Sequence, residues 1–103
     1  MSQSLSIIIP VLNEAEALPS LLDSLQSLRA TGVEVIVSDG GSTDDSTAIA
    51  DPLIDVMLKG ETGRSAQMNA AAKVAKGHWL LFLHADSALP AISAQTFIQS
   101  VVG

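Results

Sequence analysis

Cysteine is absent from this chain of 103 residues, and aromatic residues are limited to Trp79, Phe82 and Phe97. Without cysteine the chain has neither a disulfide framework nor a thiolate site. Hydrophobic residues still make up 48% of the chain, mostly as Ala, Val, Ile and Leu, and charged residues make up only 16%. This composition predicts a globular domain rather than a disordered chain, and the length fits one domain.

Positive charge is also scarce. Five Lys and Arg residues stand against eleven Asp and Glu residues, which gives a formal net charge of -6. Proteins that bind nucleic acid carry a basic stripe or patch, whereas the basic residues here are spread along the sequence. We therefore expect no nucleic-acid partner, although one Arg and a metal ion could still hold a small diphosphate.

Long hydrophobic runs are missing as well. No stretch reaches the roughly 18 apolar residues that a membrane helix needs, so no integral membrane segment is expected. The first ten residues, MSQSLSIIIP, lack a basic region and do not resemble a signal peptide. A cytoplasmic location is the expectation. The chain also lacks a phosphate-binding P-loop, a dinucleotide G-x-G-x-x-G after the first strand, a G-x-S-x-G nucleophile elbow and an H-E-x-x-H zinc motif.

The apolar residues that are present alternate between short β-branched runs and helical stripes. The runs predict strands over residues 5–10, 33–38, 53–58 and 79–83. Helices are predicted from Leu18 to a closing Gly32, up to Ala50 before Pro52, over 64–75 with Gly77 closing it, and over 91–102 after Pro90. The order βαβαβαβα predicts an α/β fold of three layers, with a mostly parallel sheet and helices on both faces.

Polar residues follow each of the four predicted strands. They lie in the segments 10–14, 39–44, 60–64 and 84–86. The carboxyl ends of parallel strands meet at one edge of the sheet, and ligands bind there near the point where the strand order reverses. The sequence therefore predicts a binding site built from all four segments.

Two interpretations stay open for several of these residues. Asp39 could accept a hydrogen bond from a pyrimidine imide or a ribose hydroxyl, or cap the turn at Gly40 and Gly41. Asp44 either caps the next helix or touches a nucleotide. Asn13 precedes Glu16 by three residues, as in a helix capping box, or lines the cleft.

The last two polar segments suggest an anion and a metal ion. His84 and Asp86 are two residues apart after a strand, so both could reach one metal ion or one diphosphate. Their donor atoms suit Mg²⁺ or Mn²⁺, and the alternatives are a structural rim histidine and a turn residue. Arg64 stands at a predicted helix start, where phosphate is favoured. Asn69, further along that helix, either faces the cleft or packs.

Three segments resemble the family 2 glycosyltransferases, which have the GT-A fold. They are SIIIPVLNEAEALPSLLDSL, VIVSDGGSTDDST and GRSAQMNAAAKVAKGHWLLFLHADSALP. The third segment most resembles the sequences of a bacterial subgroup of that family. The resemblance implies that Pro10, Asn13 and Glu14 line the nucleoside pocket and that Asp39 holds the base. It further implies that Arg64 approaches the diphosphate and that Asp86, the last residue of a DxD-type motif, binds the metal. His84 stands where that motif has its first Asp.

The resemblance also implies a function. The implied function is to bind a nucleoside diphosphate-sugar, a UDP-sugar, together with Mn²⁺ or Mg²⁺, and to transfer the sugar to an acceptor. The later half of such enzymes supplies the acceptor site and the catalytic base, so residues 1–103 are expected to be a single nucleotide-sugar-binding domain, truncated relative to the full enzyme, and no catalytic residue is assigned. A non-catalytic nucleotide-binding module and an oligomerising structural fragment are the alternatives.

A homo-oligomer is expected for a physical reason. The strand over 79–83, WLLFL, would present an unpaired apolar edge, which invites pairing with another chain. Ile98, Val101 and Val102 are expected to add exposed apolar surface.

Overall fold

The computed structural model describes residues 4–88 and 94–102. Strands and helices alternate along this part of the chain, which confirms the predicted α/β fold. The elements are β1 (Leu5–Val11), α1 (Leu18–Ser24), α2 (Gln26–Ala30), β2 (Glu34–Asp39), α3 (Ser46–Ala50), a 3₁₀ turn (Asp51–Leu53), β3 (Val56–Lys59), α4 (Arg64–Val74), β4 (Trp79–Phe82) and α5 (Ala94–Val102).

The four strands form one parallel sheet in the order β3-β2-β1-β4. Strand β1 is central, with Val11 in register with Asp39 of β2 and Ile8 in register with Phe82 of β4. Ile7, Ile8 and Ile9 are fully buried because the central strand is covered on both faces. Such a strand must be a continuous apolar run rather than an alternating one.

Helices cover the two faces of the sheet unequally. On one face Ile7, Ile9 and Val11 pack in the larger core with the leucines of α1 and α2, with Ala50 of α3 and with Phe97 of α5. On the other face Ile8 and Ile36 pack against Ala71 of α4. The molecule therefore has three layers, as predicted, with α4 alone on its side of the sheet within the described residues.

The first predicted helix is divided, although its end is as expected. Helix α1 ends at Ser24 and α2 begins at Gln26, because the amide of Leu25 is shared between the carbonyls of Leu21 and Leu22. Gly32 closes α2 with a φ of 101°. The amides of Gly32 and Val33 donate to the carbonyls of Arg29 and Leu28, at 3.0 and 3.2 Å, which is a Schellman motif.

Two predicted boundaries are wrong. The third strand begins at Val56 rather than Leu53, because Pro52 fits the first turn of a 3₁₀ helix instead of ending the helical path. Gly77 does not close α4, whose C-cap is the extended Ala75. Gly77 instead passes so close to β1 that a Cβ there would lie 2.5 Å from the Ser6 amide nitrogen.

The last helix packs apolar side chains against the larger core. Phe97 is buried, and Ile98 and Val101 pack against the larger core. Ile98 and Val101 are partly buried by this packing, so they expose less apolar surface than expected. Pro90, Ile92 and the start of the predicted helix lie outside the described residues, as does the side chain of Val102.

None of the helices over residues 4–88 and 94–102 has both the length and the apolar character needed to cross a membrane.

Candidate functional site

The strand order places a crevice between the carboxyl ends of β1 and β4. From β1 the chain moves outward through β2 to β3, and α4 then carries it across the opposite face of the sheet to β4 on the other side of β1. Neighbouring strands whose connections leave in opposite directions define a topological switch point, which is where ligands bind in open α/β sheets.

A cleft of about 290 Å³ lies at this switch point. Its lining consists of Pro10, Glu14, Arg64, His84, Ala85 and Asp86. Residues from the ends of β1 and β4 thus meet the first residue of α4, so three of the four predicted polar segments line the cleft, and the segment 39–44 does not. Five of the nine predicted site residues line this one cleft.

The polar side chains in the cleft are not used by the protein itself. Over the described ranges, the side chains of Glu14, Arg64, His84 and Asp86 form no hydrogen bond or ion pair. The amides of Glu14 and His84 are engaged, since they donate to the hydroxyls of Ser46 and Ser87 at 2.8 and 3.0 Å. The backbone of the cleft is therefore fixed while two carboxylates, a guanidinium and an imidazole remain available to a ligand.

Asn13 joins the loop after β1 to the loop after β2. It adopts a φ of 54°, the left-handed conformation that Asn tolerates better than most residues. Its Oδ1 accepts hydrogen bonds from the amides of Thr43 and Asp44 at 2.8 and 3.3 Å, and its own amide donates to the Ser42 hydroxyl at 2.8 Å. The capping-box interpretation of Asn13 is wrong, since α1 begins only at Leu18 and has no side-chain cap.

Asp39 caps the turn that follows β2. Its Oδ2 accepts hydrogen bonds from the amides of Gly41 and Ser42 at 3.0 and 2.9 Å, and its Oδ1 accepts the Ser42 hydroxyl at 2.5 Å. The residue is only 3% exposed. The turn-cap interpretation is confirmed, and contact with a base stays a prediction.

Asp44 holds the start of α3 and the loop after β1 together. Its Oδ1 accepts from the amide and the hydroxyl of Ser46, and its Oδ2 accepts from the amide of Ala15 at 3.2 Å. The hydroxyl hydrogen bond from Ser46 is the main reason why the pKa of Asp44 is lowered from its usual range. The capping role comes from Asp44 rather than from Asp45, which precedes α3 without a side-chain hydrogen bond.

Gln67 is a residue of this region that the sequence prediction missed. It is buried on α4, and its Nε2 donates to the main-chain carbonyls of Val11 and Ser38 at 3.0 and 2.7 Å. A signal was present in the sequence, since Gln67 lies one turn before Ala71 on an Ala-rich helix face that packs on the sheet. A polar residue at such a position must find hydrogen-bond partners when buried.

Asn69 is not brought to the cleft at the switch point. It lines a separate cleft of about 520 Å³ on the other side of α4, beside β3, together with Lys59 and Lys73. Residues 64 and 69 are five positions apart on a helix with 3.6 residues per turn, so they point in different directions. The structure therefore separates Asn69 from Arg64, and Asn69 does not line the cleft at the switch point.

Comparisons with known proteins find the same architecture elsewhere. Residues 6–100 match the model of the family described as Glycosyl transferase family 2. A PGL/p-HBAD biosynthesis glycosyltransferase of Mycobacterium bovis is 38% identical over 91 residues, which cover 82% of this chain and 36% of that protein. The structure of S. aureus TarS in complex with UDP-GlcNAc has a TM-score of 0.80 at 28% identity, covering 97% of this chain and 30% of that one.

A third likeness concerns the fold. Glucosyl-3-phosphoglycerate synthase of Mycobacterium tuberculosis, solved with Mn²⁺, UDP and phosphoglyceric acid, has a TM-score of 0.73 at 24% identity. It covers 82% of this chain and 33% of that one. The strand order and the cleft at the switch point thus define a doubly wound α/β domain of the GT-A type. The chain belongs to glycosyl transferase family 2. It spans about a third of the length of these relatives.

Proposed function

We propose that the cleft between β1 and β4 binds the diphosphate of a nucleoside diphosphate-sugar, UDP-linked, and that the chain supplies the donor-binding part of a glycosyl transfer. The main support is that one cleft at the switch point is lined by Glu14, Arg64, His84 and Asp86. The side chains of these residues form no hydrogen bond or ion pair with any described residue. TarS, which is 28% identical to this chain, was solved with UDP-GlcNAc. That complex supports UDP as the nucleotide.

Arg64 is suited to hold the diphosphate. It is the first residue of α4, a helix of 11 residues, and the preceding Gly63 provides no side-chain cap. The first-turn amides are therefore available to an anion, and the helix dipole favours negative charge at this end. The guanidinium adds a fork of donors that matches phosphate oxygens.

A divalent cation fits the same cleft when the ligand supplies part of its coordination. The carboxylates of Asp86 and Glu14 and the imidazole of His84 are donors that Mn²⁺ and Mg²⁺ accept. Over residues 4–88 and 94–102, no three such side chains gather closely enough to cage an ion. Asp86 would therefore hold the metal together with diphosphate oxygens and water, as is common for Mg²⁺. When bound, the ion would neutralise charge on the leaving diphosphate.

The nucleoside is assigned to the wall beside the cleft. Pro10 lines the cleft, and Asn13, Asp39 and Asp44 tie the loops after β1 and β2 into one unit. A wall that is already ordered loses little conformational entropy when a ligand binds. We leave Asn69 out of this site because it lines the cleft on the other side of α4.

The test is a calorimetric titration of the chain with UDP in the presence and absence of Mn²⁺. We expect UDP binding that depends on Mn²⁺. Asp86→Ala should weaken it by at least about tenfold, or roughly 1.4 kcal/mol, without lowering thermal stability, since Asp86 is exposed. Asp51→Ala, which removes an exposed acid on the 3₁₀ turn, is the matched control and should bind like the parent. Equal affinity of the parent and Asp86→Ala for UDP with Mn²⁺ would contradict the proposed site.

A transfer assay then separates an enzyme from a binding module. If UDP binds but a UDP-sugar is neither hydrolysed nor transferred to added acceptors, the chain acts as a non-catalytic nucleotide-binding module. Release of UDP from the sugar nucleotide would identify the donor half as sufficient for chemistry.

A further inference from the structure

Gln67 connects α4 to the ends of two strands. The residue is 4% exposed. Its side-chain amide donates one hydrogen bond to the carbonyl of Val11, the last residue of β1, and one to the carbonyl of Ser38 in β2. Both partners are acceptors, so the NH₂ group must face them and Oε1 must point away. The orientation of the amide is thus set by its partners, 56 and 29 residues away in the sequence.

Gly40 makes room for this amide. A Cβ at Gly40 would lie 2.7 Å from Oε1 and 2.9 Å from Cδ of Gln67. The φ angle of Gly40 is not in the positive range, unlike those of Gly41, Gly60 and Gly63. The backbone at Gly40 therefore has no positive φ angle that would require glycine, and the space left by the missing side chain is filled by Gln67.

The two carbonyls and the helix lie next to residues of the cleft and of the loop wall beside it. Val11 follows Pro10, Ser38 precedes Asp39, and Arg64 lies one helical turn before Gln67. Apart from this amide, α4 rests on this part of the sheet through small alanine side chains, with Ala71 packed against Ile8 and Ile36 and Ala72 partly buried against the same cluster. Contacts between small apolar side chains are not directional, whereas two hydrogen bonds have preferred distances and angles and therefore fix the helix in position.

We propose that Gln67 is a positioning residue, which fixes the helix bearing Arg64 relative to the strand ends bearing Pro10 and Asp39 and thereby sets the spacing of the diphosphate and nucleoside contacts. The functional part of this inference rests on the proposed function, because it concerns the same site. Gln67 acts through other residues and is not assigned a contact with the ligand.

Gln67→Met is the main test, because Met has a similar length and donates no hydrogen bond. At a temperature where the variant is folded, we expect its affinity for UDP with Mn²⁺ to fall by at least about tenfold. Ala71→Gly is the matched control on the same helix face. It weakens α4 but keeps the Gln67 hydrogen bonds, so the melting temperature should fall while UDP affinity stays within about twofold of the parent. Parent-like UDP affinity in Gln67→Met, or an equal loss in Ala71→Gly, would overturn the positioning role.

Gly40→Ala gives an independent test through a double-mutant cycle. Alone, the added Cβ should displace the Gln67 amide and weaken UDP binding as Gln67→Met does. In the Gln67→Ala background the space is empty, so Gly40→Ala should have no further effect on UDP affinity. Additive losses in the double variant would show that Gly40 and Gln67 act separately and would contradict the inference.

A measurement without nucleotide keeps this inference distinct from the proposed function. In ¹⁵N NMR spectra of the chain alone, Gln67→Met should shift the amide signals of Gly41 in the β2 loop and of Arg64, and Ala71→Gly should leave Gly41 in place. If the parent binds no UDP, the proposed function fails, while these shifts still decide whether Gln67 fixes both walls. Shifts confined to α4 in Gln67→Met would overturn the inference whatever the outcome with UDP.

Discussion

Asp39 caps a turn and is predicted to contact a base, and the replacement of one oxygen atom in Asp39→Asn can separate these two roles. Its carboxylate accepts hydrogen bonds from the amides of Gly41 and Ser42 and from the Ser42 hydroxyl. In Asp39→Asn the remaining oxygen can accept from both amides, and the new NH₂ can donate to the hydroxyl. In Asp39→Ala all three bonds are lost, and the two amides and the hydroxyl lose their partner.

We therefore expect Asp39→Ala to lower the free energy of unfolding by about 1–3 kcal/mol, and Asp39→Asn to change it much less. If Asp39 also accepts the imide N–H of a base, Asp39→Asn should weaken uridine binding by roughly 1.5–3 kcal/mol, even without metal. Urea unfolding and a uridine titration measure the two effects separately. Uridine binding to Asp39→Asn at parent affinity would leave Asp39 with the turn-capping role alone.

The lowered pKa of Asp44 leads us to predict that the stability of the folded chain depends on pH in the acid range. Because the hydroxyl of Ser46 lowers the pKa of Asp44 in the folded chain, the ionised carboxylate stabilises the loop above the ordinary Asp range near 3.9. This stabilisation is lost as the pH falls through the lowered value. Ser46→Ala should raise the pKa of Asp44 towards its usual range and make stability less sensitive to acid below about pH 4.

The measurement is a carboxyl ¹³C NMR titration. Ser24→Ala is the control, because the Ser24 hydroxyl donates within α1 to the Leu21 carbonyl. An unchanged pKa of Asp44 in Ser46→Ala would show that the hydroxyl is not the cause of the shift.

At the residue scale the sequence predicts where polar side chains gather, but not which of them the protein uses itself. Strand ends can be located from apolar runs, which placed Glu14, His84 and Asp86 correctly at one rim. The partners of Asn13 are about 30 residues away, and those of Gln67 lie on two other elements. Such pairings are known only once the strands are docked in register.

Gly32 and Gly77 are both glycines next to secondary-structure elements, but for different physical reasons, and substitutions at the two positions should lower stability by different amounts. Gly32 has a φ of 101° and open space around the position of a Cβ, whereas a Cβ at Gly77 would meet the Ser6 amide and hydroxyl at 2.5 Å. In Gly32→Ala the cost is backbone strain alone, about 1–2 kcal/mol. In Gly77→Ala the backbone of β1 or of the segment before β4 must move, so we expect a larger loss.

Urea unfolding of both variants measures the difference as a shift in the midpoint. Gly77→Ala should have the lower midpoint, and its ¹⁵N spectrum should show shifts in β1. A midpoint for Gly77→Ala at or above that of Gly32→Ala would mean that the close contact with Ser6 is relieved at little cost.

At the element scale the sequence predicted the order and type of the described strands and α-helices, apart from the division of the first helix into α1 and α2. It could do so because apolar runs and helical stripes are local signals. The boundary errors occur where a local signal has two meanings. Pro52 is compatible with both the end of a helix and the first turn of a 3₁₀ helix. Gly77 is compatible with both a helix end and a close approach to a strand, and only the packed sheet decides between them.

On the scale of the whole molecule, strand β4 presents exposed apolar side chains among the described residues. Strand β4 is at the edge of the described sheet. Phe82 is in register with Ile8, so Phe82 and Leu80 point to the face that α4 occupies over β1 and β2. They are 45% and 38% exposed, and Trp79 at the start of the strand is 42% exposed. An apolar edge strand of this kind is able to pair with another chain.

We predict that the isolated chain associates through β4, and that the partner is a second copy. Ile98 and Val101 support this expectation less than the sequence indicated, because they are partly buried against the core. The edge and its three exposed side chains therefore provide most of the contact. Edge pairing satisfies free main-chain groups, and burial of apolar side chains adds about 25 cal/mol per Å² of surface removed from water. The net charge of -6 opposes association, but salt screens repulsion beyond about 8–10 Å.

Light scattering at low micromolar concentration and moderate salt should give a mass above that of the 10.6 kDa chain. Leu80→Lys and Phe82→Lys should each shift the distribution towards monomer, because a charge would be buried in the contact. Leu12→Lys is the matched control, since Leu12 is 52% exposed but lies in the loop after β1. Association that survives both β4 variants but is lost in Leu12→Lys would place the contact elsewhere. A parent chain that stays monomeric at every concentration would show that an edge of four residues is too short to hold two copies together.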